Sequence, residues 1–113
     1  MISKKKLLKK SRLYLIADKK VLARRTLIKK ASLIKDSRIG IIQLRDKESG
    51  KAEVLREAIG LSRLLGKNKP IFIVNDYPDI AKLADSDGVH LGQSDPSVKI
   101  ARRILGKDKI IGV

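Results

Sequence analysis

The 113-residue chain has no cysteine and no tryptophan, one histidine, three prolines and three aromatic residues, Tyr14, Phe72 and Tyr77. Lack of cysteine rules out disulfides and thiolate metal sites, and suits a reducing compartment such as the cytoplasm. A single histidine, His90, without a second His or a Cys is a poor signal for a metal site, so it reads as a packed or rim residue. With so few aromatics the core must be built from Leu, Ile, Val and Ala, and little is left for stacking nucleic-acid bases. No apolar run approaches the roughly 18–20 residues that span a bilayer. The run Leu13–Ala17 falls short of the core of a secretory signal, about 7–15 residues. Glycine-rich nucleotide loops and nucleophile elbows are missing too.

Acidic residues are scarce beside basic ones, 12 against 27, for a net charge of +15. Such a field draws polyanions, phosphorylated ligands or anionic surfaces. Much of the charge lies in Lys4, Lys5, Lys6, Lys9 and Lys10 and in helical segments such as Lys29-Lys30. Lysines spread over solvated helix faces are the plainer explanation.

Hydrophobic residues make up 42%, ordinary for a globular domain. Residues 1–12 read as a basic lead-in, and residues 13–113 as one domain. Short apolar runs at Leu13–Ala17, Ile39–Leu44, Ile71–Val74, Gly88–Leu91 and Ile110–Val113 predict five strands. Between them, helical spacing predicts helices over 21–34, 51–65, 78–84 and 96–105. Asp18 stands where the first helix would be capped, and Gly66 where the second would stop. Gly60, inside the second helix, suggests close packing there. Buried-looking strands alternating with helices imply a parallel sheet with helices outside. Four βα units and a fifth strand amount to half of a (β/α)8 TIM barrel. A chain that ends on a strand leaves an edge open, so a truncation, a fragment or a self-associating half-barrel is expected.

The chemistry gathers at the strand ends. Gln43, Arg45 and Lys47 are spaced by two, so an extended backbone turns all three to one face and Leu44 and Asp46 to the other. If Ile41 faces the barrel interior, so do Gln43 and Arg45. An amide, a forked guanidinium and a mobile ammonium suit a phosphate, although a strand fraying into a solvated loop would look the same. Asp76 and Asp95 end two neighbouring units, and two carboxylates at one rim suit Mg²⁺. Each also has a local explanation. Asp95 precedes Pro96 and so could cap a helix, and Asp76 precedes the Tyr77-Pro78 helix start, where negative charge is favoured.

The succession LYLIAD, IIQLRDK, FIVNDYPDIA, SDGVHLGQSD and IIGV resembles the N-terminal half of the thiamine-phosphate synthase family, from about Leu13 to Val113. The resemblance implies a (β/α)8 barrel that joins hydroxymethylpyrimidine diphosphate to thiazole phosphate. Mg²⁺ then assists departure of diphosphate, and the thiazole nitrogen captures a pyrimidine carbocation-like species. Carried across by motif, Gln43, Arg45 and Lys47 hold the pyrimidine diphosphate, with Leu44 and Asp46 in the same segment. Asn75 contacts the pyrimidine substrate, and Asp76 and Asp95 ligate Mg²⁺. The related thiazole tautomerase branch does not generally keep the Gln-Arg-Lys triplet with the Asn-Asp pair, and this chain has both. Family features beyond the fifth strand are missing: a serine, a further substrate lysine and a glycine-rich thiazole-phosphate site. The resemblance therefore implies half of a two-substrate site, completed by a homo-oligomer or a separate C-terminal half-barrel. Two other classes compete with it: a basic module binding nucleic acid or polyanions without catalysis, and a half-barrel that only dimerises.

Overall fold

Five short apolar segments form one parallel sheet: β1 (Leu13–Asp18), β2 (Ile39–Arg45), β3 (Ile71–Asn75), β4 (Gly88–His90) and β5 (Ile110–Gly112). They lie in the order β1-β2-β3-β4-β5, and every neighbouring pair is parallel. Three helices follow β2, β3 and β4: α1 (Lys51–Leu65), α2 (Pro78–Leu83) and α3 (Val98–Leu105). This computed structural model describes residues 13–18, 39–66, 70–93 and 96–113. The basic lead-in 1–12, the helix expected over 21–34 with its Asp18 cap, and Asp95 lie outside the described residues or depend on them. Among the described residues no helix is long and apolar enough to cross a membrane.

Strand alternation divides the apolar residues between two faces. On the outer face Ala17, Ile42, Leu44, Phe72, Val74 and Val89 pack with Val54, Ala58, Leu61 and Leu65 of α1 and with Ile80, Ala81 and Ala101. On the inner face Ile41, Ile71 and Ile73 form a smaller cluster with Ile110 against it. Consecutive parallel strands with an isoleucine-lined inner face and helices outside make half of a (β/α)8 barrel.

Helix ends follow local chemistry, with two corrections. Gly66, at φ 70°, ends α1, and its N–H donates to Ser62 O. Gly60 has open space where a Cβ would stand, so close packing is not its role. The third helix starts at Val98 rather than Pro96. Its N-cap is Ser97, whose hydroxyl accepts the Ile100 N–H at 3.3 Å, so Ser97 takes the capping role considered for Asp95.

The amino ends of the strands are tied together by polar groups. Asp87 Oδ2 accepts the Phe72 N–H at 2.8 Å, and Ser86 Oγ donates toward the carbonyls of Ala81 and Gly88. Lys109 Nζ donates to Ser86 O at 2.6 Å and to Asp85 Oδ1 at 2.8 Å. At Gly88 a Cβ would run into the carbonyl oxygen and side chain of Ile110, so the approach of β4 to β5 requires glycine.

Candidate functional site

The site is built at the opposite end of the same strands. Ile41 packs in the inner cluster, so the period of two carries Gln43 and then Arg45 up the inner face of β2. Register sets their neighbours. Ile16 lies beside Gln43 and Asp18 beside Arg45, while Asn75 pairs with His90 and His90 with Gly112. Above the isoleucine layer these residues surround a cavity of about 480 Å³. Its polar wall is Gln43, Arg45, Lys47, Asn75, Asp76 and His90, and Tyr14, Ile16 and Gly92 complete it.

The amide of Gln43 is only 4% exposed and donates from Nε2 to Tyr14 Oη at 2.6 Å, which fixes its orientation. Arg45 Nη1 stands 3.9 Å from Asp18 Oδ2, and Lys47 Nζ stands 3.4 Å from Asp76 Oδ2. Both cations are about half exposed, and such long pairs at a surface are worth little. A ligand with several anionic oxygens would exchange for them at small cost.

Asp76 adopts φ 78°, a left-handed conformation that costs a non-glycine residue roughly 1–2 kcal/mol. The Asp76 N–H donates to His90 O at 2.9 Å, which locks the turn to β4. Pro78 begins α2 two residues later, and Tyr77 at its N-cap makes no side-chain capping bond. The Asp76 carboxylate stands beside Lys47 in the cavity wall. At Gly112 a Cβ would come within 3.0 Å of His90 Nδ1, so the missing side chain leaves the imidazole its place.

Of the residues singled out from the sequence, Gln43, Arg45, Lys47, Asn75 and Asp76 line this one cavity, and His90 stands at its rim. Leu44 and Asp46 do not line it. Leu44 is buried in the outer core, and Asp46 Oδ1 accepts the N–H groups of Glu48 and Ser49, both at 3.0 Å. Strand alternation is the reason: their side chains contribute packing and loop closure, not cavity lining. Burial opposes ionisation of Asp46. Hydrogen bonds, chiefly from Ser49 and also from the Glu48 N–H, outweigh it and lower the carboxyl to about 2.

Among the described residues no group of three or more His, Cys, Asp and Glu side chains could cage a metal. Mg²⁺ needs no such cage, since it is often held by one or two carboxylates, water and substrate phosphates. Asp76, an oxygen donor beside two cations that would gather phosphate, fits that pattern. Sequence reasoning missed Tyr14, Ile16 and the buried Glu57. The first two were accessible, because period two in LYLIAD sets Tyr14 and Ile16 on the face opposite Ala17.

Comparison with known proteins identifies the family. The family model for thiamine monophosphate synthase matches residues 13–113. The chain is 41% identical over 113 residues to the thiamine-phosphate synthase of Clostridioides difficile, covering 100% of this chain and 54% of that protein. It is 51% identical over 75 residues to the thiamine-phosphate synthase of Halalkalibacterium halodurans, covering 66% of this chain and 36% of that one. In structure it is similar to a thiamine phosphate pyrophosphorylase from Pyrococcus furiosus, with a TM-score of 0.75 and 27% identity. That match covers 90% of this chain and 48% of the other. The chain thus spans about half the length of the curated relatives it matches. By the match of the family model across residues 13–113, the chain belongs to the thiamine monophosphate synthase family.

Proposed function

We propose that the rim binds hydroxymethylpyrimidine diphosphate and forms the pyrimidine half of a thiamine-phosphate synthase site. The observation that carries this reading is the convergence of Gln43, Arg45, Lys47, Asn75 and Asp76 on one cavity at the carboxyl ends of β2 and β3. Arg45 offers a planar fork and Lys47 a mobile charge, and together they take the diphosphate oxygens. Gln43, held by Tyr14, and Asn75 orient the ligand through their amides. Exchange of Asp18 and Asp76 for diphosphate frees both cations to neutralise charge that grows on the leaving group. Asp76, with Asp95, would hold Mg²⁺, which when bound stabilises the same negative charge as a Lewis acid. Leu44 and Asp46 serve the segment by packing and by closing its loop.

The second substrate, thiazole phosphate, would be held by a further half-barrel meeting the sheet at its outer strands, β1 and β5. A second copy of this chain or a C-terminal half-barrel would supply it. Among the described residues these strands end the sheet.

Calorimetric titration with hydroxymethylpyrimidine diphosphate, with and without Mg²⁺, tests the reading. Saturable binding that needs Mg²⁺ and is lost in Asp76→Asn is the expected result. Binding of any polyanion alike, falling steeply with salt, would replace it with a nonspecific basic surface.

A further inference from the structure

Gln43 is 4% exposed, and among the described residues its side chain makes one hydrogen bond, from Nε2 to Tyr14 Oη at 2.6 Å. A primary amide has two ends, a carbonyl oxygen that accepts and an NH2 that donates. Tyr14 takes the donor end. The carbonyl oxygen is left with no protein partner among the described residues. A buried acceptor in that state is costly until something gives it an N–H or O–H. Gln43 lines the cavity, so the donor that completes it comes from whatever fills the cavity.

Register explains why the amide stands this way round. Tyr14 pairs with Ile41, one inner row below Gln43, and Arg45 stands one row above it. A side-chain amide turns its oxygen toward positive charge, and the cations Arg45 and Lys47 both lie beyond Gln43 on the same cavity wall. The phenol, having accepted from Nε2, keeps its own hydrogen to give. It is half exposed and lines the same cavity. Together the two side chains offer a ligand one acceptor and one donor in adjacent positions.

That pair complements one kind of ring edge, an amino group beside a ring nitrogen, as in an aminopyrimidine. The amino group gives a hydrogen to Gln43 Oε1, and the ring nitrogen takes the Tyr14 hydrogen. An oxopyrimidine carries the reverse, a carbonyl beside a ring N–H, and would set oxygen against oxygen at Gln43. It cannot turn over to suit, because its anionic arm is anchored at Arg45 and Lys47. We propose that Tyr14 is a specificity-determining residue of the rim. By holding the NH2 of Gln43 it fixes which end of that amide meets the ligand, and so selects an aminopyrimidine over an oxopyrimidine. The selection rests on the diphosphate reading of the site; the polarity of the Tyr14–Gln43 pair does not.

Calorimetric titration of the whole chain, in Mg²⁺, with the amino form of hydroxymethylpyrimidine diphosphate and with the matching oxo form tests the proposal. The amino form is expected to bind about 10- to 100-fold more tightly, the worth of one hydrogen bond exchanged for a stranded buried acceptor. In Tyr14→Phe the amide is free to turn, and that ratio should fall by about tenfold. Equal binding of the two forms by the unaltered chain would overturn the proposal, as would a folded Phe variant that keeps the full ratio. NMR of the ligand-free chain gives a readout that needs no variant. A cross-peak between the Gln43 Nε2 hydrogens and the Tyr14 ring is expected, and its absence would overturn the proposal whether or not Tyr14→Phe folds. A chain that binds inorganic diphosphate but neither ring compound would overturn the selection alone. One that binds no diphosphate of any kind would overturn the diphosphate reading, and the selection with it.

Discussion

The two ends of the sheet carry similar residues and use them in opposite ways. At the amino end each of three polar side chains reaches the backbone: Asp87 the Phe72 N–H, Ser86 two carbonyls, and Lys109 Ser86 O beside its pair with Asp85. At the carboxyl end, among the described residues, Arg45 and Lys47 reach carboxylates at 3.9 and 3.4 Å, and stay about half exposed. Both ends even hold an aspartate in a left-handed conformation, Asp85 at φ 51° and Asp76 at φ 78°. Asp85 serves a turn, whereas Asp76 lines the cavity. A polar group satisfied by backbone stabilises the fold, and one satisfied by a loose, exchangeable partner is free to serve a ligand. The division matches the general rule for barrels, in which the amino-terminal face secures stability and the carboxyl-terminal face carries chemistry.

That contrast can be broken at either end. The largest effect is expected from Gly88→Ala, because the new Cβ would collide with Ile110 backbone. Urea denaturation should show a loss of about 3 kcal/mol or more. Next comes Arg45→Ala, which should weaken diphosphate binding by about 10- to 100-fold, the worth of a charged hydrogen-bond partner. Its folding stability should move by less than about 0.5 kcal/mol, since the ion pair lost is long and exposed. Asp87→Ala should do the reverse: about 2 kcal/mol of stability lost, from the stranded Phe72 N–H, with diphosphate affinity unchanged.

The smallest effect concerns pH. Asp46 has a folded-state value of about 2, below the 3.8 of the free side chain. Its contribution is therefore whole above about pH 4 and is lost as the pH falls toward 2, amounting to roughly 2 kcal/mol at most. Stability curves measured across that window should flatten in Asp46→Asn. An unchanged slope would mean that the loop closure does not depend on the ionised carboxylate.

Much of this was legible in the chain. Ile39–Arg45 and Ile71–Asn75 are apolar runs of the kind that only a strand buried on both faces explains, and the observed strands extend the expected ones by a single residue. Helix α1 coincides with its expected range because its apolar spacing and its stop at Gly66 agree. The start of α3 was misplaced because Pro96 and Ser97 both favour a helix entrance, and only the Ser97 hydrogen bond distinguishes them. Gln43, Arg45 and Lys47 could be placed together from period two alone. Tyr14 could not be joined to Gln43 in that way, since 29 positions separate the two in the chain. Glu57 was hidden for a different reason. On a helical wheel it is one more acidic residue, and only the packed outer face shows that it has no access to water.

The sequence by itself determined the alternation of strand and helix, the inner and outer face of each strand, and the set of cations and amides that meet at the rim. Those follow from short-range periodicity, which every residue carries with it. Tertiary structure alone decided which strands lie side by side, that Asp76 lines the cavity from a left-handed backbone, and that Glu57 on α1 is buried. These depend on register and burial between segments far apart in the chain, and no local pattern encodes either.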